Sequence, residues 1–191
     1  LVAGSGDIYQ IARVFRDGRD LCVTGLGLDP FKAQVQELQV CAEQNAVNIE
    51  SELDRDAWLD LLLSHCVMPG LPGDQLTLVY DYPASQAALA RLNPDNETAA
   101  RFEVYWGEVE LANGFYELLD AEEQRQRFEA EAAQRKFGGM SEVPVDYRLI
   151  AGLSHGLPEC SGVALGVDRL LMKLTGQKSI NDVIAFPIAR A

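Results

Sequence analysis

Basic residues are scarce. Lys and Arg number 16 against 29 Asp and Glu, which leaves a net charge of −13 over 191 residues. Affinity for phosphate backbones comes mainly from Lys and Arg displacing counterions, so a broad nucleic-acid footprint is disfavoured. An anionic membrane surface is a poor partner for the same reason. Small cationic ligands remain open, as do nucleotide sites built from a few well-placed arginines. No run of about 18 apolar residues is present, so no membrane span is expected. Only two histidines occur, and the four cysteines (Cys22, Cys41, Cys66 and Cys160) form no C-x-x-C pair. They read as small buried hydrophobes in a reducing cytoplasm. His65 lies in an apolar helical stretch and reads as structural. There is no GK[ST] P-loop and no GxGxxG. The start LVAGSGD has neither the basic nor the apolar region of a signal peptide, and reads as a chain beginning mid-protein.

What is present is an ordinary globular composition, 48% apolar and 24% charged, of a length suited to one domain. Alternation over 7–16 predicts a strand, and DGRD at 17–20 a turn. Asp29-Pro30 opens a predicted helix over 31–44, with Phe31, Val35, Leu38, Cys41 and Ala42 near helical spacing. A second helix is predicted over 54–67, with Trp58, Leu61, Leu62 and Cys66 on one face. A strand over 76–82 stops at Pro83, and an Ala-rich helix follows at 84–92. Residues 101–119 read as a β-hairpin. The charged helix 120–137 has Asp120 as its cap, Glu123/Arg127 and Glu131/Arg135 as pairs four apart, and Gly138-Gly139 at its end. Pro144 opens a helix over 144–154. A Gly-spaced strand over 160–167, a helix over 168–175 closed by Gly176, and a short helix at 179–184 complete the chain. The expected class is α+β, an antiparallel sheet flanked by helices.

Three segments carry chemistry. In RFEVYWGEVELANGFYEL (101–118), a tight turn at Trp106-Gly107 sets Glu103 opposite Glu110 on one face. Like charges in that position repel. Either a cation such as magnesium lies between them, or the face is solvated and the charges splay into water. Glu117 joins that face if a bulge falls near Asn113-Gly114. Glu103, Glu110, Asn113 and Glu117 would then form an acidic wall. In CSGVALGVDRLLM (160–172), Gly162 and Gly166 admit either a ligand close to the backbone or tight helix packing. Asp168 can cap the helix, and Arg169 emerges beside it. In RVFR, Arg13 and Arg16 close the first strand, where a guanidinium suits a phosphate or merely decorates the surface.

Together these segments resemble a class II lysyl-type aminoacyl-tRNA synthetase core. IYQIARVFRDG looks like the start of motif 2, ELANGFYELLDAEEQRQRF like the stretch that follows it, SGVALGVDRLLM like motif 3, and INDVIAFPIARA like the closing turn. VYDYPASQAALARL, RFEVYWGEVELANGFYEL and CSGVALGVDRL are distinctive of the short, stand-alone elongation factor P–(R)-β-lysine ligase family. The resemblance covers nearly the whole of 1–191 as one catalytic domain. It implies that ATP and a lysine-like amino acid form an adenylate, and that the acyl group passes to a lysine of elongation factor P. By this likeness Arg16 holds the α-phosphate and Arg169 the outer phosphates. Glu103 and Glu110 bind magnesium, with Glu110 and Leu111 beside ATP. Asn113 and Glu117 bind the substrate, Glu117 at its amine. Gly166 lines both pockets. Ala164 stands where the tRNA synthetases have Gly, which favours a β-amino acid. A cytoplasmic homodimer is implied, with tRNA disfavoured by the charge. Genuine lysyl-tRNA synthesis and a non-catalytic regulatory binder are the alternatives.

The likeness is incomplete. The family's motif 2 continues to a glutamate, a mobile loop and a second long strand, whereas FRDGRD runs straight into LCVTGLGLDP. Motif 1, the dimer helix and a Ser-Pro-Glu substrate motif have no counterpart in these residues. This stretch alone should therefore lack part of the adenine clamp and of the amino-acid pocket. Those segments are expected in the natural protein, and an intact mass above 21.0 kDa would bear this out.

Overall fold

In the computed structural model, residues 14–187 are described. The elements in chain order are β1 (Val14–Asp17), α1 (Gly18–Leu26), α2 (Val35–Gln44), α3 (Arg55–Leu62), β2 (Leu76–Pro83), β3 (Thr98–Trp106), β4 (Val109–Tyr116), α4 (Ala121–Phe137), α5 (Tyr147–Ser154), β5 (Ser161–Leu165) and α6 (Val167–Thr175). The five strands form one sheet in the order β1-β2-β3-β4-β5. The pairs from β2 to β5 are antiparallel, as the α+β reading expects. β1 joins β2 in parallel. A parallel neighbour requires a long crossover, and the segment carrying α1, α2 and α3 supplies it. Most of the expected strand at 7–16 lies outside the described residues, including Arg13.

Two apolar clusters hold the crossover down. Leu21 of α1, Val67 and Met68 pack with Val79, Tyr82 and Tyr105 on the β2–β3 surface. Leu38, Cys41 and Ala42 of α2 meet Trp58, Leu59 and Leu62 of α3. Truncating a buried leucine such as Leu38 or Leu62 costs about 2–5 kcal/mol.

Several boundaries differ from expectation for identifiable reasons. Residues 18–20 begin α1 rather than completing a turn. Asp29 does not open a helix at 31. Its carboxylate accepts the Phe31 N–H at 3.0 Å and folds a local turn. α2 starts only at Val35, where Glu37 accepts the Gln34 N–H at 2.8 Å. The Ala-rich stretch 84–92 gives a single 3-10 turn, Ala84–Gln86. Ala88 has φ 48, and the chain beyond zips onto the end of β4 through Arg91 N–H to Tyr116 O and Leu118 N–H to Leu89 O, both 2.9 Å. Strand pairing here overrides alanine's helix preference. α5 is opened by Asp146, not Pro144. The Asp146 carboxylate takes the N–H groups of Arg148 and Leu149 at 3.0 and 3.1 Å. Asp168 is not a cap either, since Gly166 holds that position and Asp168 lies in the first turn of α6. Gly176, at φ 68, closes the helix. His65 is exposed on a π-helical turn that extends α3, not buried in an apolar face.

Candidate functional site

The hairpin turn decides which side chains share a face. The expected turn at Trp106-Gly107 is displaced by one residue, because Trp106 pairs with Val109 and leaves Gly107 and Glu108 as the loop. Gly107 has φ 59, and a two-residue hairpin favours glycine where its first loop residue has positive φ. Tyr105 then faces Glu110, and Glu103 faces Asn113 instead of Glu110. The register shifts between Val104 and Tyr105, which leaves Leu111 as the extra residue of a bulge. This bulge lies two residues before the expected position, yet it has the expected effect. One added residue in a period-two strand returns Asn113 and Glu117 to the face of Glu103 and Glu110.

The register runs straight across the sheet as Arg16–Val79–Glu103–Asn113–Ala164. Strands lie about 4.8 Å apart. The Arg16 backbone is therefore about 10 Å from that of Glu103 and about 19 Å from β5. Arg169 belongs to the opposite end of this row. Its guanidinium donates to the Glu110 carbonyl at 2.9 Å and pairs with the Glu110 carboxylate at 3.4 Å. The Leu111 side chain is buried, and its carbonyl accepts the Gly166 N–H at 2.8 Å. The bulge thus ties β4 to the start of α6, and Gly166 lies against the stem of Arg169.

Glu103 is 6% exposed and enclosed by donors. Tyr82 donates to its Oε2 at 2.6 Å, and Tyr105 donates to the same oxygen. Arg101 donates to Oε1 at 2.5 Å and Asn113 Nδ2 to Oε1 at 2.9 Å. The Arg101 guanidinium also stacks on the Tyr82 ring, 4.4 Å from its centre. Burial first, and the Glu103 charge second, push both phenols above the ordinary tyrosine range. Tyr82, Tyr105 and Arg101 were not anticipated as site residues. Period-two spacing of Arg101, Glu103 and Tyr105 on one strand was the available signal.

Glu103 and Glu110 line one open cavity of about 390 Å³, together with Asp60 and Glu108. Of the two carboxylates that the resemblance assigns to magnesium, Glu103 is the more enclosed. The four lone-pair positions of the Glu103 carboxylate already face four donors, whereas Glu110 keeps open positions beside Arg169. Among the described residues, no group of three His, Cys, Asp or Glu is placed to hold a metal ion.

Glu117 occupies the other side of the wall. Its Oε1 lies directly over Gly162, leaving no room for a Cβ there. Its backbone N–H bonds to Cys160 O at 3.1 Å. Among the described residues no hydrogen bond or ion pair engages its half-buried carboxylate, which suits it to an ammonium. Ala164, exposed, stands beside Asn113 in register. The face thus divides into a Glu110–Arg169 end and an Asn113–Glu117 end.

Comparison with known proteins identifies the family. Residues 71–190 match the tRNA synthetases of class II (D, K and N). The chain is 50% identical over 169 residues to an elongation factor P–(R)-β-lysine ligase of Proteus mirabilis, covering 87% of this chain and 52% of the relative. The ligases of that name from Vibrio cholerae and Klebsiella pneumoniae are 50% and 48% identical over the same shares. The chain spans about half the length of these curated relatives. From β2 to the end of the described residues, it belongs to the class II tRNA synthetase family of the D, K and N type.

Proposed function

We propose that the chain is the catalytic part of an ATP-dependent ligase that activates (R)-β-lysine and passes it to a lysine of elongation factor P, acting as a cytoplasmic homodimer. The observation that carries this reading is the divided face: a half-buried, unengaged Glu117 beside Asn113 and Ala164, with the exposed Arg169 at the other end. The names of the relatives point the same way.

In the first step a carboxylate oxygen of the amino acid bonds to the α-phosphorus of ATP, and the bond to pyrophosphate breaks. Arg16 would bear charge developing on the α-phosphate, and Arg169 the charge on the departing pyrophosphate, as cations that stabilise the transition state. Gly166 and Leu111, joined by a backbone hydrogen bond of 2.8 Å, would lie beside the nucleotide. Glu117 holds the amino acid by an ammonium, and the methyl of Ala164 narrows the pocket beside Asn113. In the second step the acceptor amine bonds to the acyl carbon, AMP leaves with the bonding pair, and the amine gives up a proton. ATP takes part as a substrate. Magnesium, which the resemblance implies, would be held by Glu103 and Glu110 together with phosphate oxygens of ATP, whose charge it would neutralise.

The test is ATP–pyrophosphate exchange on the full-length protein, with (R)-β-lysine and α-lysine offered separately and acyl transfer to elongation factor P or tRNA as readout. Exchange is expected with (R)-β-lysine and transfer with elongation factor P. Preference for α-lysine with tRNA charging would overturn the reading in favour of a lysyl-tRNA synthetase. Exchange with neither amino acid would leave a non-catalytic binder.

A further inference from the structure

Two arginine–glutamate pairs flank the candidate site, and they differ in how readily they can be exchanged. Arg101 donates to Glu103 Oε1, bonds to Gln86 O at 3.0 Å and stacks on the Tyr82 ring. With side-chain exposures of 19% and 8%, that pair is fixed in place. Arg169 and Glu110 lie 3.4 Å apart with side-chain exposures of 50% and 37%, so both groups are open to ligands from solvent. A second bond, from the Arg169 guanidinium to the Glu110 carbonyl at 2.9 Å, turns Arg169 back onto β4. Gly166 permits that course, since a Cβ there would press on the Arg169 side chain at 3.3–3.5 Å. Lys173, one turn further along α6, sits over the Trp106 ring instead. α6 thus directs Arg169, and not Lys173, to the site.

We infer that the Glu110–Arg169 pair is a latch opened by a divalent cation: Glu110 withholds Arg169 from phosphates, and a cation bound at Glu110 releases it to them. The charges on the pair lead to this exchange. A phosphate approaching Arg169 must displace a carboxylate and meets that carboxylate's repulsion. A magnesium ion favours carboxylate oxygens, and its positive charge repels a guanidinium that shares the same group. Metal and nucleotide are then coupled through the protein as well as by chelation in solution, and that coupling is reciprocal. The looseness of the pair makes the exchange feasible, because an exposed ion pair is worth little. The inference rests on the reading of Glu110 and Arg169 as the nucleotide end of this face.

The test uses the full-length protein and calorimetric affinity for ATP with EDTA present. Glu110→Gln should bind metal-free ATP about fivefold more tightly than the wild type, the upper range for an exposed ion pair. In the Arg169→Gln background the same substitution should change that affinity less than twofold, because no guanidinium remains to be released. A second readout needs no nucleotide. The Arg169 Nε–H signal, assigned by ¹⁵N NMR through its loss in Arg169→Gln, should shift when magnesium alone is added to the wild type. In Glu110→Gln it should stay in place. The wild-type titration stands by itself if Glu110→Gln fails to fold. A gain in affinity that persists in Arg169→Gln, as plain repulsion by Glu110 would give, or an Arg169 signal that ignores magnesium, would overturn the latch and leave the proposed activity intact. Absence of ATP binding by the wild type with magnesium present would overturn the proposed function and this inference with it.

Discussion

Tyr82 and Tyr105 place two phenolic hydroxyls on one oxygen of Glu103, and this makes the cluster sensitive to alkali. Both phenols titrate above their ordinary value near 10, burial being the larger cause and the Glu103 charge the next. In the unfolded chain they ionise near 10; in the folded chain they keep their protons. Their contribution to stability is therefore fully present below pH 10 and is lost progressively as pH rises above it. Unfolding by urea at a series of pH values should show this loss, with tyrosinate absorbance from these two residues appearing only as the chain unfolds. Tyr82→Phe should cost about 1.5–3 kcal/mol at neutral pH, the worth of a hydrogen bond to a charged group, and should flatten part of the alkaline decline. A decline of equal steepness in Tyr82→Phe/Tyr105→Phe would show that other groups cause it.

At the scale of elements, α4 shows why spacing alone cannot tell a working pair from an idle one. Glu123/Arg127 and Glu131/Arg135 have the same four-residue spacing. Arg127 meets Glu123 at 2.5 Å and also donates to Ala88 O and Ala90 O at 2.9 and 2.8 Å, so it docks the helix onto the segment beside β4. Arg135 instead reaches Ser141 O at 3.4 Å, with its Nε buried and without a partner among the described residues. Arg127→Ala should cost about 1.5–3 kcal/mol in urea unfolding, and Arg135→Ala less than about 0.5 kcal/mol; equal costs would show that the docking bonds carry no weight. The same distinction sets what was legible in the sequence. Asp120 as the cap of α4, Gly176 at the end of α6, the stop at Pro83 and the shared face of Glu103 and Glu110 follow from local chemistry. The pairing of Glu103 with Asn113 does not, because it depends on a bulge at Leu111 that no glycine marks. The 84–92 stretch misled because its backbone partners, Tyr116 and Leu118, lie far along the chain. Tyr82 reaches Glu103 across two strands joined by a 14-residue connection between Pro83 and Thr98, beyond any local spacing rule.

At the scale of the whole molecule, the charge of −13 is sharpened by where the arginines go. Arg19, Arg55, Arg91, Arg101, Arg125, Arg127 and Arg169 each pair with a carboxylate of the chain itself. Exposed pairs of this kind add little to stability, but they neutralise guanidinium groups that a polyanion would otherwise recruit. A ligand carrying a few phosphates can exchange one such pair, as at Arg169 and Glu110, where both side chains are exposed and 3.4 Å apart. A tRNA would have to break many at once against the repulsion of 29 acidic residues. Counterion release then has few free cations to work with, and its contribution shrinks steeply with salt. Fluorescence anisotropy with labelled tRNA at about 150 mM salt should therefore give no saturation below about 10⁻⁴ M, the range of non-specific binding. ATP affinity, which depends on few contacts, should vary much less across the same salt series. Micromolar tRNA binding at that salt would mean that cationic surface outside the described residues 14–187 dominates the field, and would return the tRNA-charging alternative to first place.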